Sequence, residues 1–175
     1  MKKTSLLIFL LSLLSFGFSP TNYPKVPDSK VRLFYIQRSS NVNTIVYDAR
    51  LNAKGAFDED SPIDVYWLRY QEDGRRKELS WIQRVLAYGV DTEKIDGQTD
   101  ALQAWVVSYK KRKLRLGFDK NRKPYASLLI NNQLAKLDHV YVQIEGSNLR
   151  PKVLYVEVFG RDFYTGENVY EKIKP

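Results

Sequence analysis

Short segments rich in β-branched and aromatic residues recur along the chain, and turn residues separate them. Val31–Arg38 and Asn43–Arg50 flank a Ser-Ser-Asn sequence, which predicts two strands joined as a hairpin. Further segments of this character are Ile63–Tyr70, Leu102–Tyr109, Lys113–Phe118, Tyr125–Ile130, Gln133–Leu137, Tyr141–Gly146, Tyr155–Gly160 and Glu167–Ile173. A sheet of about nine strands must curl or split. The sequence therefore predicts an all-β fold with one short helix, built as an antiparallel barrel or a two-layer sandwich.

One segment departs from the strand pattern. Within Glu78–Tyr88, Leu79, Ile82 and Leu86 recur at helical spacing and would share one face. Gly89 follows where a C-cap glycine is common. We expect one short helix that packs this apolar face onto the sheet.

The first residues combine a positive start with a short apolar run. Lys2 and Lys3 precede Leu6–Leu14, and small residues follow. This run is shorter than the roughly 20 residues that a membrane-spanning helix needs, so the pattern predicts a secretory signal peptide. Cleavage after Gly17 or after Ser19 would remove it, whereas retention would leave it as an anchor.

Composition divides the chain into three parts. Residues 1–18 form the predicted signal peptide, 19–30 an extended leader with three prolines, and 31–175 a single β-rich domain. We expect an exported protein, periplasmic or secreted, in a bacterial envelope. No transmembrane segment is expected after signal cleavage.

Residue types exclude several kinds of site. The chain has no cysteine, which removes disulfides, thiol nucleophiles and thiolate metal ligands, and His139 is its one histidine. The sequence contains no phosphate-binding glycine loop, no Gly-x-Ser-x-Gly and no zinc-protease motif. We therefore expect no cofactor and no metal, and we assign no catalytic residue.

A polar strand face is the first candidate site. Four polar side chains alternate with valines and isoleucine late in the chain, and two Ile-Gln-Arg tripeptides add further polar groups. The candidate ligand-binding residues are Gln37, Arg38, Arg84, His139, Tyr141, Gln143 and Glu145. This face either meets solvent or lines a cup that selects a polar ligand. In the structural alternative, Arg84 pairs with Glu145 and pins the helix to the sheet.

A dense group of cations is the second candidate site. The formal net charge is +8, and Lys110–Arg115 holds five basic residues in six positions. Strand alternation would place Lys111, Lys113 and Arg115 on one face. Such a row could bind a polyanion, for which an exported protein would meet anionic lipid or acidic glycan; nucleic acid is not an expected partner. The alternative is a face that only confers solubility.

Paired carboxylates would support a different class of function. Glu145 and Glu157 lie on two strands of similar sequence, and glycoside hydrolysis needs two carboxyl groups about 5 to 10 Å apart. If those strands are neighbours, a carboxylate-based hydrolase acting on a glycan is the alternative to a binding protein.

Five blocks of sequence resemble a known family. They are FYIQRSSNVNTIVYDA from Phe34, IDVYWLRY from Ile63, ELSWIQRVLAYGV from Glu78, VYVQIEG from Val140 and YVEVFGRDFYTG from Tyr155. Together they resemble an exported bacterial domain of unknown function, DUF4833, over residues 31–175. The resemblance implies a signal-bearing single-domain protein and brings no activity, cofactor or catalytic residue. The prediction for function is accordingly a non-catalytic binding or structural role in the cell envelope, with a polar or anionic ligand such as a lipid head group or a glycan.

Overall fold

The computed structural model describes residues 23–146 and 152–175, and the predicted signal peptide lies outside them. The described residues form eleven strands and one short helix, which confirms the β-rich prediction. The strands are β1 (Arg32–Arg38), β2 (Asn41–Ala49), β3 (Ile63–Leu68), β4 (Arg76–Glu78), β5 (Val90–Ile95), β6 (Gln98–Val106), β7 (Leu114–Phe118), β8 (Pro124–Ile130), β9 (Gln133–Glu145), β10 (Lys152–Asp162) and β11 (Asn168–Ile173). Within these residues, no helix has the length and apolar character to cross a membrane.

The strands form one curled sheet that closes half of a barrel. Nine of them follow the order β4-β3-β2-β1-β9-β8-β7-β6-β5, and β10 pairs with β9 and β11. Neighbours are antiparallel except β1 and β9, which run parallel from the Tyr35–His139 pair to the Arg38–Val142 pair. The sheet is therefore mixed, because strands distant in sequence can meet in either direction.

Strand β9 organises the sheet because it has three partners. Its first residues pair with β8 and its later residues with β1, while β10 runs along it from Ala135 to Glu145. The segments Gln133–Leu137 and Tyr141–Gly146, predicted as separate strands, belong to this single strand of 13 residues, except that Gly146 follows its end. Its length lets it join the two halves of the curled sheet.

The sequence pattern does not predict two of the strands, β4 and β5. The polar composition of residues 91–100 predicts a loop, yet β5 pairs antiparallel with β6 across this stretch. Strand β4 has three charged residues, all exposed. Both lie at the ends of the nine-strand path, where one edge has no partner strand and burial imposes little apolar pattern.

Two apolar clusters cover the two faces of the first hairpin. The larger one lies on the concave side of the sheet and includes Phe34 and Tyr47, whose rings stack at 4.2 Å. On the convex side, Val26 packs with Val46 and neighbouring residues of β3. Strand β2 is therefore buried on both faces over most of its length. Residues 23–30 contribute to the fold through Val26, which is buried.

The predicted helix exists, but the prediction of the face that packs on the sheet was wrong. Helix α1 (Trp81–Gln83) continues as a π-helix (Arg84–Tyr88), and we call these eight residues the helical segment. Ser80 caps it in a capping box with Gln83. Leu79 is buried as expected, but it precedes the helical segment. The apolar side chains within the segment that were predicted to pack on the sheet are exposed.

Gly89 ends the helical segment for a steric reason different from the predicted one. Its backbone is extended, so it is not a left-handed cap. A Cβ atom at this position would lie 1.9 Å from the carbonyl oxygen of Arg84. The widened π turn brings that carbonyl against the chain, and only glycine leaves space for it.

Candidate functional site

The predicted polar face forms on the convex side of β9, and its side chains contact one another. His139 lies between the rings of Tyr35 and Phe159, with centroids 5.1 and 4.3 Å away. Its Nδ1 atom is 2.8 Å from Oδ2 of Asp138, and this hydrogen bond lowers the pKa of the Asp138 carboxyl. Burial raises the pKa of Tyr35 to about 12. The stack is thus a packed aromatic ladder with a neutral phenol.

Further along the same face, the polar groups satisfy each other. Tyr141 donates to Oε1 of Gln143 at 2.8 Å, and Tyr155 donates to the same oxygen at 3.5 Å. Gln37 lies opposite Tyr141 in the register of β1 and β9 and is buried. Glu145, at the end of β9, is exposed and lies opposite Lys152.

The two predicted arginines do not join this face. Because Gln37 and Arg38 are consecutive in a strand, they point to opposite sides of the sheet. Arg38 donates to the Tyr88 hydroxyl at 2.6 Å, and its guanidinium lies 4.8 Å from the Trp67 ring centre. Arg84 lies on the helical segment, 3.5 Å from Glu78. The structure therefore separates the seven candidates into three places.

The register also separates the two candidate carboxylates. Glu157 lies opposite Tyr141, four residues from Glu145 on β9, which corresponds to about 13 Å along the strand. Glu157 accepts a hydrogen bond from Tyr170 at 2.8 Å and lies 3.4 Å from the Lys172 ammonium. This separation exceeds the range over which two carboxyl groups cooperate in glycoside hydrolysis.

The three residues that were predicted to bind a polyanion are exposed, but their surroundings differ. Lys111 lies in the turn between β6 and β7. The Lys113 ammonium is 3.3 Å from the ring centre of Trp105 and 3.8 Å from Glu93. Arg115, on β7, donates to the side-chain oxygen of Gln98. Two of the three cations therefore already have partners in the described part of the chain.

The feature that sequence reasoning missed is an apolar cavity on the concave side of the sheet. Its volume is about 410 Å³, within the size range of small-molecule sites. Apolar side chains from seven strands form most of its wall: Phe34, Ile36, Val106, Leu114, Leu128, Leu137, Val140, Val142, Val153, Val156, Val158 and Ile173. Val153 keeps 38% of its surface exposed, so the wall is reached by solvent. The curled sheet leaves this apolar face incompletely filled.

Polar and charged groups lie at the edge of this cavity. They belong to Ser108, Tyr109, Arg112 and Lys174. Arg112 donates to Oε2 of Glu171 at 2.5 Å and to the carbonyl oxygen of Leu129, and the first of these bonds lowers the pKa of the Glu171 carboxyl. Ser108, Tyr109 and Lys174 are exposed, and we call this polar, exposed side of the cavity its mouth. A polar mouth beside an apolar wall suits an amphipathic ligand.

A sequence signal for the wall exists, but it was incomplete. The alternation in Val140, Val142 and Ile144 indicates an apolar face and led to the prediction that this face is core. Whether such a face meets a second layer or an open cavity depends on the curl of the sheet, which pattern does not report. The described residues hold no cluster of three or more metal-ligating side chains.

Comparison with known proteins identifies the family. Searches of curated proteins and of solved structures found no match. A family model described as Domain of unknown function (DUF4833) matches residues 34–172, from β1 to β11. The match covers the strands that build the cavity. The chain therefore belongs to the DUF4833 family.

Proposed function

We propose that this protein is an exported, non-catalytic binding domain that holds the apolar chain of an anionic amphiphile, such as a fatty acid or a lipid, in the half-barrel. The observation that carries this proposal is the solvent-accessible apolar cavity on the concave face. A polar head group would remain at the mouth. The positive charge of the sequence already predicted a lipid head group among the possible ligands. The cavity is the reason to propose that the acyl chain is bound as well.

The energetics favour an apolar occupant. Each methylene group moved from water into an apolar site contributes about 0.8 kcal/mol, so a chain of about ten methylenes gains roughly 8 kcal/mol before the costs of association. The same ligand would cover apolar side chains such as Val142 and Val153, which now border an open space.

The mouth favours an anionic head group. Lys174 and Arg112 lie at the edge, and Lys110 and Lys111 continue the turn that carries Tyr109. Arg112 is already paired with Glu171 and Lys110 lies 3.9 Å from Asp91, so Lys111 and Lys174 supply most of the attraction. Binding should therefore weaken with salt when the head group is anionic.

The arrangement at the cavity does not favour catalysis. The Ser108 hydroxyl donates to the carbonyl oxygen of Ala87 at 2.6 Å, so it is held by a backbone acceptor and not by a base. Glu171, the carboxylate that contacts the cavity residue Arg112, is held in that ion pair. A nucleophile needs an adjacent base to react, and this pair of contacts does not provide one.

Binding can be tested with a dansyl-labelled fatty acid, whose emission rises in an apolar site. We expect saturable binding by the wild-type protein and at least about tenfold weaker binding by Val142→Trp, which fills the cavity. The matched control is Gln143→Trp, one residue away on the convex face, which should bind like the wild type. Urea unfolding of both variants verifies that they fold, and the milder Val140→Phe is a second filling variant. Equal binding by wild type and by both folded filling variants would refute the proposal.

Export is tested separately. The lysine start and the Leu6–Leu14 run support cleavage near residue 18. We expect the mature protein in the periplasm or medium, with an intact mass that lacks the first 17 or 19 residues. A full-length mass in the membrane fraction would contradict cleavage and favour the anchor.

A further inference from the structure

Four large apolar side chains protrude from the helical segment. Trp81, Ile82, Val85 and Leu86 are 74%, 61%, 46% and 69% exposed, and we call them the apolar tip. Single exposed apolar residues are common in soluble proteins, but a contiguous group of this size marks an interaction surface. We propose that the apolar tip docks the protein onto an anionic membrane surface. This goes beyond the proposed function, because the apolar tip lies outside the cavity.

The rest of the helical segment is anchored, so the outward direction of the tip is built into the fold. The backbone carbonyl of Tyr88 accepts from Tyr47 at 3.0 Å, and its hydroxyl accepts from Arg38. The indole of Trp67 donates to Gln83 at 3.2 Å. These contacts hold the other side of the segment, and rotation of the tip toward the sheet would break them.

The charges around the tip favour an anionic surface. Residues 75–84 contain four basic side chains, Arg75, Arg76, Lys77 and Arg84, and one acidic side chain, Glu78. Glu78 lies 2.8 Å from Arg76 and 3.5 Å from Arg84, and these arginines belong to a wider set of ion pairs. Arg76 is also 2.9 Å from Asp64, which Arg50 shares, and Arg75 is paired with Asp73 and with Glu72, which Arg69 shares. With Lys77 the set holds six cations and four carboxylates, so an excess of positive charge remains on this side of the protein and complements anionic lipid head groups.

A second basic turn is connected to the same place. Ser108 bonds to the carbonyl oxygen of Ala87 in the helical segment, and Lys110 and Lys111 follow directly. Tyr109 in this turn is exposed and lines the cavity. Tryptophan and aliphatic side chains beside lysine and arginine are the combination that binds the interface of a membrane. Docking there would bring one edge of the cavity close to the lipid surface.

Flotation with vesicles tests the proposal on the mature protein. We expect binding to phosphatidylcholine vesicles that contain phosphatidylglycerol, and a loss of about tenfold or more for the double variant Trp81→Ser with Leu86→Ser. The matched control, Tyr164→Ser with Leu154→Ser, also removes one exposed aromatic ring and one exposed leucine, but from the β10–β11 turn and from β10. It should bind like the wild type.

Insertion can be separated from attraction by charge alone. Lipids brominated on the acyl chain quench tryptophans that enter the bilayer, and the wild type should be quenched while Trp81→Phe should lose most of that effect. Binding without quenching, unchanged binding of the double variant, or no binding to anionic vesicles would each overturn the proposal. So would self-association through the tip in place of vesicle binding.

Vesicle binding and fatty-acid binding are expected to be independent of each other, so the two experiments can fail separately. The cavity variant Val142→Trp should still bind vesicles, and the tip double variant should still bind the dansyl-labelled fatty acid in solution. Loss of one activity without the other identifies which of the two proposals fails.

Discussion

The two faces of β9 differ in how fully their side chains are in contact with other parts of the protein. On the convex face, His139 is stacked between two rings and Gln143 accepts from two tyrosines. On the concave face, Val140 and Val142 border an open apolar cavity. A row of polar residues on a strand therefore does not by itself mark a binding site, because such groups can saturate one another. The apolar face still borders open space, so it has the greater capacity to bind a ligand.

The largest expected effect lies at the base of the cavity. Phe34 is buried, stacks on Tyr47 and lines the wall, so Phe34→Ala should lower the free energy of unfolding by about 3 to 5 kcal/mol. Urea denaturation measures this loss. A loss below about 1 kcal/mol would show that the concave side is not the main core.

The ion pair at the mouth should have a smaller, pH-dependent effect. Arg112 holds the pKa of Glu171 below its usual range, so the carboxylate stabilises the fold above the unfolded pKa of about 4.3 and loses that contribution as pH falls through the folded value. Arg112→Met should cost about 1 to 2 kcal/mol at neutral pH.

The pH profile sharpens this test. Between about pH 5 and pH 3, the wild type should lose more stability than Arg112→Met, because the variant has already lost the favourable partner of Glu171. The control is Arg115→Met, an exposed arginine on β7, which should leave the wild-type profile unchanged. Parallel profiles for wild type and Arg112→Met would contradict the role of the pair.

A single hydroxyl tests the convex face. Tyr141→Phe removes the hydrogen bond to Gln143 and should cost about 0.5 to 1.5 kcal/mol. Binding of the dansyl-labelled fatty acid should not change, since Tyr141 lies on the face away from the cavity. Weaker fatty-acid binding with unchanged stability would move the ligand to the convex face and reverse the comparison.

The smallest effect is expected at the apolar tip. Leu86→Ala should change stability by no more than about 0.5 kcal/mol, because this side chain is mostly exposed. A buried leucine at that position would cost about 2 to 5 kcal/mol. Urea denaturation beside Phe34→Ala separates the two cases, and a large loss at Leu86 would place the helical segment against the sheet.

Residues with a strong local pattern were predictable, and edge residues were not. The alternation in Ile63–Tyr70 and Tyr155–Gly160 led directly to β3 and β10. Strand β5 has a polar composition because its surroundings are largely solvent, so its pairing with β6 leaves no periodic signal. The helical segment shows the converse: its apolar spacing was read correctly as helical, but spacing does not say whether a face meets protein or something else.

Sequence by itself determined the β-rich class, most strand positions, the place of the helix and the family, because these follow from local preference and the order of residues. The tertiary structure decided the parallel pairing of β1 with β9, the separation of Gln37 from Arg38, the cavity and the exposure of the apolar tip. Each of these depends on which distant strands meet and how far the sheet curls. Those outcomes are set by the packing of the whole chain, and no short segment contains them.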